Sequence, residues 1–342
     1  MSVLITGSAG FIGFHLCKRL VKERQSFIGI DNLNNYYDVS LKEARLSELK
    51  KIVGNGNDKY KFFKGDLTDL NFLENIFSKF KPKVVVNLAA QAGVRYSLKN
   101  PHSYINSNLV GFHNLLDCAQ KSSIENFIYA SSSSVYGGSI NYPYSETNCV
   151  NHPVSLYAAT KKSNELIAHS YSHLFKIPTT GVRLFTVYGP WGRPDMAPFI
   201  FTKSIRDRKA IKVFNFGDMY RDFTYIDDVI DVLFKLIDLP AEIDKDFDKK
   251  NPKQNASWAP YKILNLGNNQ STSILDFISM LEKEIGIKAK LKFEPMQPGD
   301  VKKTAADSRE LDKLIKNRLK TDLNIGIKKF IKWYNSYHYL KK

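Results

Sequence analysis

Cysteine is scarce in this chain: Cys17, Cys118 and Cys149 are the only three in 342 residues. They lie far apart and match neither a disulfide framework nor a metal-ligand spacing. No stretch approaches the roughly 20 unbroken apolar residues that a membrane span needs. The opening Met1-Ser2-Val3-Leu4-Ile5-Thr6-Gly7 has no basic leader region and no cleavage site, which points to a cytoplasmic protein. Repeats and low-complexity tracts are also missing. What remains is an ordinary globular composition, 43% hydrophobic and 25% charged, long enough to bury a large core.

Acidic residues are few, 34 against 50 Lys and Arg, for a net charge of +16. Residues 283–342 hold 16 basic and 7 acidic side chains, so +9 of the excess sits there. A basic surface can attract nucleic acid. Here, however, the lysines interleave with Leu311, Leu314, Ile315, Ile327, Phe330 and Ile331, as on amphipathic surface helices. No stripe of mixed aromatic and basic residues suited to stacking bases is present, and nucleic acid is not an expected partner.

Short apolar segments alternate with helix-periodic ones from the first residue. Val3–Ile5, Phe27–Ile30, Tyr60–Phe63, Val84–Asn87, Phe127–Ala130 and Thr179–Arg183 read as strands. Leu70–Phe80, Ser107–Gln120 and Leu156–Phe175 read as helices between them. Wholly apolar strands separated by helices imply a parallel sheet covered on both faces. The expected fold is α/β, a doubly wound, Rossmann-like parallel sheet with a smaller, discontinuous C-terminal substrate-binding domain. Residues 1–185 form the nucleotide-binding domain and 186–342 mainly the substrate part, with segments such as 220–238 and 262–267 returning to the first. Ala241–Pro260 is polar and reads as a surface insertion; a helix near Ile325–Tyr337 closes the chain.

Gly7-Ser8-Ala9-Gly10-Phe11-Ile12-Gly13 follows the first strand and opens the first helix. Glycine permits the tight turn and lets backbone approach a pyrophosphate seated on the helix N-terminus. The pattern alone is weak. The second strand, however, ends at Asp31, 18 residues after Gly13. A carboxylate there accepts from ribose hydroxyls and repels a 2′-phosphate, which favours NAD over NADP.

Tyr157 and Lys161 open a long helix pattern at i, i+4, on one face. A tyrosine base working at neutral pH needs its pKa lowered by about 3 units, roughly 4 kcal/mol. The Lys161 ammonium one turn away and a positively charged nicotinamide could supply that. The strand ending in Ser131-Ser132-Ser133-Ser134 places hydroxyls at the sheet edge where such folds hold ligands. A lone YxxxK is unremarkable; with the glycine loop, Asp31 and the serine strand in order it reads as catalytic.

These residues resemble the extended short-chain dehydrogenase/reductases, and within them the nucleotide-sugar epimerases. The likeness to UDP-glucuronate 4-epimerases covers nearly the whole chain. It is carried by Thr6–Gly13, Asp31–Asp38, Gly65-Asp66-Leu67, Ser131–Gly137, Tyr157–Lys161, Thr186–Met196, Arg221–Asp228 and Gln297–Val301. Tyr36-Tyr37-Asp38 and Thr186–Met196 are the uronate-like portions.

The resemblance implies that Asp66 and Leu67 contact adenine. It places Asn32 beside Asp31, lines the cofactor cleft with Leu88, Ala89 and Ala90, and has Asn108 support it from the next helix. Phe185 and Tyr188 would lie near the nicotinamide, with Ser132 as the catalytic serine. Arg221 would hold UDP phosphate and Asp300 its ribose; Gln297 stands where many relatives carry a further arginine.

The activity implied is 4-epimerisation of a UDP-sugar through a 4-keto intermediate with tightly held NAD, most of all UDP-glucuronate to UDP-galacturonate. For a uronate, Ser133, Ser134 and Thr186 offer hydroxyl donors to the carboxylate and Arg193 a charge-assisted bond. Against this stand a turn-capping Ser134 and a solvated Arg193. Neutral substrates such as UDP-glucose or UDP-N-acetylglucosamine are the alternative. Decarboxylase chemistry is disfavoured because Ser133 and Ser134, not acids, follow Ser132. A non-catalytic NAD-sensing or RNA-binding protein is the reading from another class. Relatives commonly form homodimers through two helices per subunit, here Pro101–Lys121 and Leu156–Phe175.

Overall fold

The computed structural model describes residues 2–54 and 59–338. Along the first half, β1 (Val3–Thr6), α1 (Phe11–Lys22), β2 (Phe27–Asp31), α2 (Val39–Val53), β3 (Tyr60–Lys64), α3 (Leu70–Phe80) and β4 (Val84–Asn87) follow one another. Then come α4 (Pro101–Tyr104), a π-turn (Ile105–Val110), α5 (Gly111–Lys121), β5 (Asn126–Ser132), α6 (Leu156–Phe175), β6 (Thr179–Leu184) and β7 (Thr186–Tyr188). The remainder comprises α7 (Ala197–Arg206), β8 (Ala210–Val213), β9 (Tyr220–Tyr225), α8 (Ile226–Leu236), β10 (Tyr261–Leu266), β11 (Ser271–Ser273), α9 (Ile274–Ile285), β12 (Lys290–Phe293), α10 (Arg309–Leu314) and α11 (Leu323–His338).

Seven strands form a parallel sheet in the order β10-β6-β5-β4-β1-β2-β3. Period-two alternation persists although both faces are buried. Val3, Ile5, Val84, Val86 and Ile128 pack with α1, α8 and the C-terminal helices, while Leu4, Val85, Phe127 and Tyr129 pack with α3, α5 and α6. The winding direction reverses between β1 and β4, and the carboxyl ends of those two strands diverge into a crevice. This doubly wound sheet is the fold expected from the alternating pattern. Helix starts follow local chemistry: Asp69 caps α3 through Phe72 N at 3.0 Å, and Ser155 caps α6 through Ala158 N at 3.1 Å.

Of the segments expected to return to the nucleotide-binding part, residues 261–266 form the edge strand beside β6 and α8 packs on α1. Residues 220–225 differ. They pair with β7 and β11 in a separate three-stranded sheet, and β8 pairs with β12 in a third. Residues 241–260 are not wholly superficial either. Ser257 and Ala259 are buried, and Trp258 Nε1 donates to His173 on α6 at 3.0 Å.

Candidate active site

The crevice opens into one cleft of about 1000 Å³ running from the glycine loop past α6 to the three-stranded sheet. Its floor is set by contacts that tolerate no side chain. Gly7 is left-handed at φ +68°, and a Cβ there would lie 2.8 Å from the backbone of Leu88 and Ala89. One on Gly13 would lie 2.1 Å from the Gly7 carbonyl. Helix α1 thus begins hard against β1, with no side chain capping its first N–H groups. That free N-terminus suits a pyrophosphate.

Asp31 accepts from Ala9 N at 3.1 Å and Leu33 N at 2.8 Å, so its carboxylate is fixed toward the cleft. Lys42 Nζ stands 3.6 Å from it. The repulsion of a 2′-phosphate expected from Asp31 alone is therefore partly offset. Asp66 is also engaged, accepting from Asn32 Nδ2 at 2.7 Å and Thr68 N at 2.9 Å. Gly10, Phe11, Ile12, Leu67, Leu88, Ala89, Ala90 and Phe185 line the same half.

Two expected cofactor contacts are placed elsewhere. Asn108 does not line the cleft. It is turned inward by the π-turn and clamps Gln91, accepting from its N–H at 2.8 Å and donating to its carbonyl at 3.0 Å. Its support of the cleft wall is indirect. Tyr188, placed beside the nicotinamide by the resemblance, points away from the cleft, because Gly326 of α11 leaves room for its ring. There its hydroxyl donates to Leu323 O at 3.4 Å, and the ring packs edge-on to Phe223 and Tyr225.

Ser132 ends β5 and caps the turn that follows, accepting from Ser134 N at 3.1 Å. The cap is thus Ser132 rather than Ser134, and Ser133 and Ser134 both reach the cleft. Tyr157 sits in the first turn of α6. Burial pushes its phenol up, while the Ser132 hydroxyl and the Arg193 guanidinium pull it back. Lys161, expected to do that work, donates instead to Ala130 O at 2.8 Å. Burial lowers its ammonium to about 8. One further turn along, Glu165 accepts from Ser131 Oγ at 2.7 Å and from a fully buried Arg183 at 2.8 and 2.9 Å. Lys161 and Glu165 therefore pin α6 to β5 and fix where Tyr157 stands.

Arg193 is in the cleft rather than in solvent. Burial opposes its charge most, and Asp195 with Tyr36 and Tyr157 outweighs that to hold it above its ordinary value. Thr186 lines the wall nearby. Farther out, Arg221 donates to Tyr220 O at 2.8 Å and Lys302 O at 3.2 Å. Asp300 pairs with Arg95 at 2.7 Å, and that guanidinium lies 4.3 Å over the Phe214 ring. Arg95 was not anticipated; its only sequence signal is a single arginine eight residues after β4. It brings a cation to the end of the cleft where Gln297 does not reach. Among the described residues no cluster could hold a metal ion, and no helix is long and apolar enough to cross a membrane.

The profile of the NAD dependent epimerase/dehydratase family matches residues 3–248. A Staphylococcus aureus protein named CapI is 49% identical over 99% of both chains. A Rhizobium meliloti protein described as a probable UDP-glucuronate 4-epimerase is 42% identical over 98% of this chain and 97% of its own. The crystal structure of UDP-glucuronic acid 4-epimerase from Bacillus cereus, in complex with UDP-glucuronic acid and NAD, superposes with a TM-score of 0.86. It is 33% identical, over 99% of this chain and all of that one.

Proposed function

We propose that this chain, which belongs to the NAD dependent epimerase/dehydratase family and is a nucleotide-sugar 4-epimerase using NAD, interconverts UDP-glucuronate and UDP-galacturonate. The observation that carries the uronate reading is the Arg193 guanidinium, held inside the cleft close enough to act on Tyr157. Ser133, Ser134 and Thr186 stand on the same cleft, and no acid follows Ser132.

The residues present fit the dinucleotide: the Gly7–Gly13 turn takes its pyrophosphate, Asp31 and Asn32 the adenosine ribose, and Asp66 and Leu67 the adenine side. Leu88, Ala89, Ala90 and Phe185 line the path to Tyr157 and Lys161. Bound there, NAD would supply a hydride acceptor, and afterwards a donor, for C4 of the sugar. Tyr157 removes the C4 hydroxyl proton as the C4–H bond breaks, leaving a 4-keto sugar, and gives the proton back when the opposite face is reduced. Ser132 shares a hydrogen bond with that oxygen. Arg221 and Arg95 take the UDP phosphates and Asp300 the ribose, so remote binding energy retains the intermediate while the sugar turns.

A 4-keto uronate is a β-keto acid. It loses CO2 when the bond to its carboxylate stands perpendicular to the carbonyl plane. Holding the carboxylate through Arg193, Ser133, Ser134 and Thr186 prevents that alignment.

Purified protein incubated with UDP-glucuronate and no added NAD should yield UDP-galacturonate of unchanged mass, resolved by mass spectrometry and sugar NMR. Loss of CO2 would make the protein a decarboxylase. Turnover of neutral UDP-sugars alone would overturn the substrate.

The assembly we propose is a homodimer through α4–α5 and α6, whose outer faces expose Ile105, Val110 and Leu166, the last 58% accessible. Light scattering should give twice the chain mass, and Leu166→Asp should give a folded monomer. A monomeric parent protein would remove the proposal.

A further inference from the structure

Tyr36 and Asp195 come from the two sequence segments with uronate-like character, 159 positions apart, and they meet at one side-chain cluster. The Tyr36 hydroxyl donates to Asp195 Oδ2 at 2.9 Å. Asp195 in turn takes a two-pronged bond from Arg193, Nε to Oδ1 at 3.0 Å and Nη2 to Oδ2 at 2.5 Å. The guanidinium also lies 5.8 Å from the centre of the Tyr36 ring. The fork on Asp195 uses Nε and Nη2, so Nη1 stands outside it, and Arg193 lines the cleft. We infer that Tyr36 and Asp195 are positioning residues that aim the Arg193 guanidinium at the substrate carboxylate, and that they thereby set how much keto intermediate is epimerised rather than decarboxylated. The inference rests on the uronate reading above.

Arg193 stands in the irregular stretch between β7 and α7, where no helix or strand fixes its rotamer. A free arginine side chain samples many rotamers, and a planar fork already seated on a carboxylate has surrendered much of that freedom before substrate arrives. Asp195 can serve as that seat only if it is itself held. Tyr36 does this from the loop that turns on Asp31, with Leu33 N on Asp31, Asn34 N on Asn32 and Tyr36 N on Asn34 at 2.8, 3.0 and 3.4 Å. Its ring is packed 4.8 Å from that of Tyr96.

Charge states agree with these roles. Burial, with Asp195 beside it, pushes the Tyr36 phenol up, so it stays a donor. Burial would raise the Asp195 carboxyl, but Arg193 and Tyr36 hold it below the ordinary range, so it stays an acceptor. The seat also tempers the guanidinium. With Asp195 beside it, Arg193 offers the carboxylate directed N–H donors more than a bare positive field. That suits a sugar that must be released, turned and grasped again.

Decarboxylation supplies a readout that a merely structural residue would not move. If the carboxylate swings, the carbon–carbon pair passes into the 4-ketone as an enolate, CO2 departs, and a proton quenches the enolate. Tyr36→Phe keeps the ring and removes only the hydroxyl. The experiment is a double-mutant cycle of Tyr36→Phe and Arg193→Ala, measuring kcat, KM and the fraction of product lacking CO2, with calorimetric binding of UDP-glucuronate where turnover is too slow.

Tyr36→Phe alone should raise KM about five- to tenfold and raise the CO2-loss fraction. In the Arg193→Ala background it should change neither. Equal effects in both backgrounds, or an unchanged CO2-loss fraction, overturn the inference while the substrate reading stands. A parent enzyme inert toward UDP-glucuronate overturns the substrate reading, and the inference falls with it.

Discussion

Tyr157→Phe should leave a folded, cofactor-retaining protein whose epimerisation rate is about 10²–10⁴-fold lower, toward the upper end of that range. The substitution removes one oxygen. The ring stays where it packs edge-on to Tyr104, 6.1 Å between centroids. At most one hydrogen bond goes with that oxygen, worth about 0.5–1.5 kcal/mol of stability, so the melting temperature should hardly move. Rate and stability therefore separate, which distinguishes the base from a packing residue. The residue that remains cannot take the C4 proton. Ser132 is a neutral hydroxyl, and Lys161, although burial lowers its ammonium to about 8, is turned to Ala130.

The pH profile carries the sign. In the protein without substrate, burial keeps the Tyr157 phenol protonated, and Arg193 is one of two groups pulling it down. Activity should rise with pH as the phenol ionises, and Arg193→Ala should move that rise to higher pH. Product NMR across a pH series reads both effects. Turnover of Tyr157→Phe within tenfold of the parent would remove Tyr157 from its role.

Glu165→Ala should be the most destabilising single change near the site, by about 3–5 kcal/mol. Glu165 and Arg183 are both fully shielded from solvent on their side chains, bonded at 2.8 Å. Arg183 Nη1 reaches Tyr136 Oη at 3.0 Å, and that hydroxyl donates to Asn265 of β10 at 2.7 Å. Without Glu165 a guanidinium is left charged and unpaired within the sheet, and a change of this size should lower the melting temperature of a chain this long by roughly 4–7 °C. The pair as a whole is a different matter, since two buried charges cost much of what they return.

Glu165→Leu combined with Arg183→Met should therefore lose less than either single change, measured by denaturant unfolding. Burial raises the Glu165 carboxyl, yet Arg183, Lys162 and Ser131 bring it below its ordinary value. Its contribution is thus present at neutral pH and fades only as acid protonates it. A single-variant loss below about 1 kcal/mol would show that the sheet relaxes around the orphaned charge.

What the chain disclosed before folding was local. Gly7, Gly10 and Gly13, Asp31 at the end of β2, and Tyr157 one turn before Lys161 are short-range spacings tied to backbone geometry. They describe the cofactor half of the cleft closely. Contacts between distant segments left no such trace. Nothing in Arg95 marks it as the partner of Asp300, and nothing in Tyr36 points to Asp195. Lys161 has a helix face from its spacing but not its choice of Ala130 over the phenol. Tyr188 illustrates the limit from the other side. Its neighbours are cleft residues, but a glycine 138 positions later, on α11, opened a space that took its ring. Likewise the expected return of 220–238 to the nucleotide-binding part holds for α8 and not for β9, because nothing local says which sheet a strand joins.

The π-turn at Ile105–Val110 bears on how this sequence can change over time. A wider turn accommodates one residue more than a regular helix would over the same length. Asn108 owes its inward aim at Gln91 to that surplus. Deleting a single residue here would make the helix more regular, and by ordinary helix scales no worse. The same deletion would rotate Asn108 away from Gln91 by about 100°, a full helical step. Length in this stretch is therefore constrained more tightly than residue type. Descendants of the sequence can exchange Ile105 or Val110 for other apolar residues, but a gap of one between Pro101 and Gly111 should be a dead end.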